Sequence, residues 1–268
     1  LEAILFIGHG SRVTEANEEL LSFTRRLSVK FDSLITETCF LEWAFPNILQ
    51  GMELCVKRGA TRIILLPIML FAAGHAKVDI PMVLTQARQK YPHVEFIYET
   101  PLGVDKGILP VLSELLQAVQ PRRKEDTAVL LVGRGSSDPD ANSDLYKIAR
   151  LFWEHTDARW VEVAYYGVTD PLVEEGIKRC ICLGAKEVIV LPYLLFTGVL
   201  ISRLRQKLFQ INRQYSSVSI RMGGYLGVSD QLVSLFSKRL NQRIKTLLNE
   251  QRNINFLKTE FTNKKLYV

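Results

Sequence analysis

Short apolar runs separated by helix-period stretches recur along the whole chain. Ile63-Ile64-Leu65-Leu66 and Val188-Ile189-Val190-Leu191 are apolar without alternation, the pattern of parallel strands covered on both faces. In the first half, strands are predicted at about 3–8, 34–41, 62–67 and 94–99, with helices near 15–30, 46–58, 78–91 and 106–119. In the second half, strands are predicted at about 127–132, 159–166, 186–191 and 217–222, with helices between them and a long one at about 229–249. This alternation predicts an α/β fold with a doubly wound parallel sheet in each half.

The two halves are one unit written twice. Gly8-His9-Gly10-Ser11 aligns with Gly133-Arg134-Gly135-Ser136 at an offset of 125, and Pro46, Gly51 and Cys55 align with Pro171, Gly176 and Cys180. Within Pro46–Phe71, ten of twenty-six positions are identical to those 125 residues later. One slip then brings Leu102-Gly103-Val104 over Leu226-Gly227-Val228. The expected organisation is a first lobe at 1–122, a second at 123–250 and a basic tail at 251–268, with the boundary near Pro121–Asp126.

In open α/β sheets, ligands bind beyond the carboxyl ends of the strands. His9 ends the first predicted strand, Glu42 the second, and His75 lies in the loop after the third. Two imidazoles and a carboxylate suit a first-row divalent ion and leave coordination positions open. Structural roles are the rivals: loop packing for His75 and a salt bridge for Glu42. His9 lies between two glycines, which permit close approach of backbone and ligand. At the repeat offset these three positions become Arg134, Gly167 and Leu200, so one lobe is expected to hold a metal and the other something else. Ser11-Arg12 and Ser136-Ser137 precede helices, whose first N–H groups attract anions or are capped locally.

Composition removes other classes. No apolar run reaches the ~20 residues that span a bilayer, and no signal-peptide pattern is present, so a cytoplasmic protein is expected. The net charge of +6 lies entirely in the stretch from Lys238 to Val268, which reads as a solvated end rather than a nucleic-acid face. The Gly8-His9-Gly10 segment lacks the third glycine of a dinucleotide fingerprint. Four cysteines are too few for a disulfide scaffold, and core packing is expected for Cys180 and Cys182. A metal-dependent hydrolase would need a further carboxylate cluster.

Three segments, Gly8-His9-Gly10-Ser11-Arg12, Phe40-Leu41-Glu42 followed by Pro46, and Gly74-His75-Ala76-Lys77-Val78-Asp79-Ile80-Pro81, together resemble the sirohydrochlorin chelatases. Leu195-Phe196-Thr197-Gly198-Val199-Leu200 is similar to its counterpart in the two-lobed members, and the resemblance covers about residues 3–240. It implies a class II chelatase-like fold of two similar lobes with an active site in the cleft between them. His9, Glu42 and His75 would form the metal site and act as catalytic residues. It further implies that sirohydrochlorin and a divalent metal are the substrates, with no prosthetic group. Ferrous iron is expected, because Arg252–Val268 carries no Cys or His of the kind found in some cobalt-directed members. Cobalt insertion is the alternative, and a non-catalytic tetrapyrrole or metal carrier is the alternative of another class. Ser11, Arg12, Lys77, Arg134, Ser136 and Arg203 are the candidates for binding the substrate's carboxylates, with Arg205 nearby. Neither nucleic acid nor membrane is expected as a partner, and a monomer is expected.

Overall fold

The computed structural model describes residues 2–122 and 124–264; the side chains of His75, Lys124 and 251–264 lie outside that description. In the first half the order is β1 (Glu2–Gly8), α1 (Thr14–Ser28), β2 (Ile35–Phe40), α2 (Ile48–Lys57), β3 (Arg62–Pro67), α3 (Ile80–Lys90), β4 (Glu95–Tyr98) and α4 (Leu109–Val119). The second half repeats it as β5 (Thr127–Gly133), α5 (Pro139–His155), β6 (Trp160–Tyr165), α6 (Val173–Cys182), β7 (Glu187–Pro192), α7 (Val199–Asn212), β8 (Ser219–Met222) and α8 (Asp230–Lys264). All strand pairs are parallel, in two four-stranded sheets ordered β2-β1-β3-β4 and β6-β5-β7-β8.

Strand alternation sorts each sheet's side chains into two cores. Ala3, Leu5 and Ile7 of β1 face an outer cluster with Met52 and Cys55 of α2 and Leu84 of α3. Ala128, Leu130 and Val132 of β5 do the same with Ile177, Cys180 and Leu204. The other faces, Ile4 and Phe6 in one sheet and Val129 and Leu131 in the other, belong to a single cluster that runs through both halves. Helices are exchanged across it: α4 packs on β7 and α5, while α8 packs on α1 and α4. Phe23 of α1 meets Phe236 of α8 edge-on, with ring centroids 5.4 Å apart.

Arginines tie the exchanged helices down. Arg239 of α8 donates to the carbonyls of Thr100, Pro101 and Leu102 at 2.7–2.9 Å. Arg26 of α1 donates to the Val228 carbonyl at 2.6 Å and pairs with Asp230. The buried Glu187 carboxylate is held by Arg221 at 2.5 Å, and Arg221 also donates to the Val119 and Gln120 carbonyls at the end of α4.

Two sequence expectations need correction. The predicted helix at about 229–249 runs on to Lys264, because no Gly or Pro between 250 and 264 stops it; the side chains of the expected basic tail lie outside the described residues. Cys180 is buried, as expected, but Cys182 is exposed, since residues two apart on a helix face different ways. Among the described residues no helix is long and apolar enough to cross a membrane.

Because one core spans both sheets, the halves are expected to unfold as one cooperative unit. Urea unfolding followed by far-UV circular dichroism and by tryptophan emission should give coincident transitions; two separated transitions would contradict the shared core. Arg239→Ala, which leaves backbone carbonyls without their charged donor, is expected to lower the unfolding free energy by about 2 kcal/mol.

Candidate active site

The ends of β1 and β2 are joined beyond the sheet. Leu41 N–H donates to the Gly8 carbonyl at 2.9 Å and Glu42 N–H to the His9 carbonyl at 3.0 Å. Gly10 has φ +87°, and a Cβ there would lie 1.7 Å from the Glu42 carbonyl oxygen, so no other residue permits this approach. Trp43 follows with φ +62°. Ala44 N–H donates to the Glu42 carbonyl across it at 2.8 Å, which makes a γ-turn of the rare positive-φ kind.

This backbone lock brings two of the three predicted metal ligands together. His9 Nδ1 lies 3.3 Å from Glu42 Oε1 and 3.2 Å from the Gly10 carbonyl oxygen. On its other side, Arg134 Nη1 is 3.5 Å from His9 Nε2. Nδ1 thus faces two oxygen acceptors and Nε2 faces the Arg134 guanidinium. The same edge suits a metal: adjacent ligands on an ion with bonds of about 2.1 Å stand about 3.0–3.4 Å apart. His75 opens a π-helical turn, His75–Asp79; its neighbours Gly74 and Ala76 line the same cavity as His9. Its side chain lies outside the described residues, and among the described ones no three His, Cys, Asp or Glu side chains gather at a metal-sized site.

The second lobe repeats the lock with other side chains. Gly135 has φ +88°, and its absent Cβ would lie 1.9 Å from the Gly167 carbonyl. Gly167 N–H donates to the Arg134 carbonyl at 3.2 Å, and Val168 takes φ +71°. The repeat therefore places Arg134 opposite His9, where the two side chains meet.

Between the lobes lies a cavity of about 790 Å³, lined from one side by His9, Ser11, Asn17 and Phe71 and from the other by Arg134, Ser136, Val168 and Thr197, a volume in the upper range for small-molecule sites. Its floor is the stack of Phe71 on Tyr193, 5.5 Å between centroids. The buried Tyr193 hydroxyl has no hydrogen-bond partner among the described residues, and burial holds its pKa far above the usual phenol range. Glu19 of α1 fixes the far lip, accepting from Thr197 N–H at 2.8 Å and Tyr225 O–H at 2.6 Å.

The predicted carboxylate-binding residues divide. Ser11 and Ser136 line the cavity, but their backbone N–H groups donate to Asn17 and Asn142 at 2.9 and 3.0 Å. Their hydroxyls accept from Val13 and Asp138 N–H, so they staple turns and do not offer free N–H donors. Asn17 and Asn142 also stand at the repeat offset of 125, the one signal of their shared role in the sequence. Lys77 points to the opposite lobe and pairs with Asp138 at 2.6 Å and Asp140 at 3.0 Å. These partners raise the Lys77 pKa, and Lys77 holds Asp138 below its usual value. The latch is thus complete across neutral pH and is lost only on strong acidification or strong alkalinisation. Arg203 is exposed on α7 and does not line the cavity. Arg12 is exposed and, like Arg203, does not line the cavity, although Gly10 and Ser11 just before it do; its guanidinium lies 3.8 Å from the centroid of the Trp43 ring.

Comparison with known proteins places this geometry. The sequence matches the CbiX family twice, over residues 3–119 and 128–243. The chain belongs to the CbiX family of sirohydrochlorin chelatases. It is 45% identical to a sirohydrochlorin cobaltochelatase of Priestia megaterium over 90% of this chain and 80% of that one. It is 39% identical to a sirohydrochlorin ferrochelatase of the same organism over 94% and 93%. The structure described as SirB from Bacillus subtilis with Fe3+ superposes with a TM-score of 0.80 at 30% identity, covering 90% of this chain and 94% of that one. The two parallel sheets are thus the two-lobed chelatase architecture, as the sequence predicts.

In this chelatase the glycine lock makes a sharp expectation. Gly10→Ala and Gly135→Ala each drive a methyl group into a carbonyl at positive φ, and each should destabilise the fold by about 2 kcal/mol or more. Only Gly10→Ala displaces Glu42, so only it should weaken metal binding, measured by titration of the folded fraction. Gly74→Ala, whose Cβ meets nothing within 4 Å, should leave stability unchanged within about 0.5 kcal/mol.

Proposed function

We propose that this chain is a sirohydrochlorin ferrochelatase, a lyase that exchanges Fe²⁺ for the two pyrrole protons of sirohydrochlorin in the interlobe cleft. The observation that carries this reading is His9, which lines the interlobe cavity of about 790 Å³ with its ring 3.3 Å from the Glu42 carboxylate. His9, Glu42 and His75 hold the incoming ion, with positions left for macrocycle nitrogens. As metal–nitrogen bonds form, two N–H bonds break, and the protons pass to imidazole or carboxylate and on to water. Arg134, facing His9 from the second lobe, supplies a donor for a substrate carboxylate on the side away from the metal. Ser11, Ser136 and Lys77 act at one remove, by holding the turns and the lobes that define the cleft.

Cobalt insertion is the second reading, favoured by the 45% identity to a cobaltochelatase. An anaerobic assay with sirohydrochlorin and either Fe²⁺ or Co²⁺, followed by absorbance, tests both. Product well in excess of enzyme, formed faster with Fe²⁺, is expected. Stoichiometric binding without turnover would mark a carrier and sink the proposal, and faster turnover with Co²⁺ would replace iron by cobalt.

His9→Ala should lower kcat/KM by about 10²–10⁴-fold, the range for a positioned acid–base group, with little change in melting temperature, because the ring sits on a strand-end loop outside the core. One metal should bind per chain, since Arg134, Gly167 and Leu200 replace the ligand set in the second lobe. A titration with two equivalent tight sites would contradict that assignment.

A further inference from the structure

The repeat isolates what is particular to the metal-bearing lobe. Both lobes hold a non-glycine residue at positive φ in the corresponding place, Trp43 at +62° and Val168 at +71°, so this backbone strain is part of the scaffold. What it presents differs. In the second lobe Val168 is accompanied by Ser137, whereas in the first Trp43 lies beneath the Arg12 guanidinium, 3.8 Å from carbon to ring centroid. Trp43 remains 54% exposed and its neighbour Phe45 80% exposed, so the indole contributes little to the core.

We propose that Trp43 is a substrate-positioning residue that holds Arg12 as a carboxylate anchor next to Gly10 and Ser11, which line the cleft. A guanidinium stacked on an aromatic face keeps its N–H edge in plane and open to bidentate carboxylate contact. No carboxylate of the described residues pairs with Arg12, whereas Lys77, another predicted anchor, is taken by Asp138 and Asp140. Trp43 follows Glu42 directly in the chain, which keeps the Arg12–Trp43 stack close to a predicted metal ligand. The stack removes rotamer freedom before the ligand arrives and so lowers the entropy lost on binding. The ligand class is a planar polycarboxylate. The inference rests on the proposed substrate.

Steady-state kinetics on the full-length protein, with sirohydrochlorin varied at saturating metal, test it. Trp43→Ala should raise KM about tenfold, the equivalent of one cation–π contact and its pre-organisation, with kcat changed less than about threefold. Trp43→Phe, which keeps an aromatic face, should recover KM to within about threefold of wild type. Arg12→Ala should raise KM at least as far, and the double variant should be no worse than Arg12→Ala alone, because the two residues act as one unit. Melting temperatures check that each variant is folded. Unchanged KM in folded Trp43→Ala, or additive losses in the double variant, would overturn the proposal. If the wild type gives no turnover, the functional reading fails, and equilibrium titration of metal-free sirohydrochlorin against the same variants still decides this inference by the same pattern of affinities.

Discussion

Ile4, Phe6, Ile64 and Leu66 of one sheet share an apolar cluster with Val129, Leu131, Ile189 and Leu191 of the other, and the position of every residue in the cleft follows from that. Strand-end loops are free to vary only because the sheets beneath them are fixed relative to each other. A cluster this extensive, at about 25 cal/mol per Å² of buried apolar surface, outweighs any single polar contact across the lobes. The exchange of α4 and α8 extends the constraint, since neither half can complete its own covering helices. His9 and Arg134 come within 3.5 Å as a consequence of this packing. The exposed Lys77–Asp138 latch adds little to it, because ion pairs in water are weak.

On this rigid base, the two lobes use one loop design for two kinds of chemistry. The glycine with positive φ, the carbonyl seated against it, the following positive-φ residue and the Ser–Asn staple are all present twice. The side chains projected from the design are not. One lobe offers imidazole and carboxylate, the other a guanidinium and an apolar Val168. Such division suits a reaction that must present a cation to one face of a ligand whose periphery is anionic. A cleft lined equally on both sides would either bind two ions or hold the polyanion away from the metal.

What the sequence made legible is what depends on local pattern. The strand positions follow from apolar runs such as Ile63–Leu66, and the two-lobed fold follows from the offset of 125. Meeting of His9 and Glu42 was foreseeable because parallel strands end on one edge. Features that depend on distant partners were not legible. The exchange of α4 and α8 needs the shared core, which periodicity cannot assign to one sheet or the other. Lys77 reads as a free cation until Asp138, sixty-one residues away, is seen to face it. Ser11 and Ser136 read as helix-entry anion sites until Asn17 and Asn142 are found on their N–H groups. Trp43 carries no chemical signal of its own in the sequence, because its role depends on Arg12, thirty-one residues away.

The proposed donor set also bears on which metal the protein handles. Nitrogen and oxygen ligands bind Co²⁺ more tightly than Fe²⁺ along the ordinary divalent series, so equilibrium affinity alone would favour cobalt wherever both are supplied. A chelatase, however, is a site of transit. Every kcal/mol by which the protein holds the ion more tightly, without a matching gain at the transition state, slows its transfer to the macrocycle. The proposed set of two imidazoles and one carboxylate, carried on strand-end loops rather than enclosed by a thiolate cage, is suited to brief residence. Under that constraint the weaker-binding ion is the easier one to pass on. The same proposed ligands can therefore serve either metal, with the choice made by the relative rates of capture and release and by the metal available to the cell.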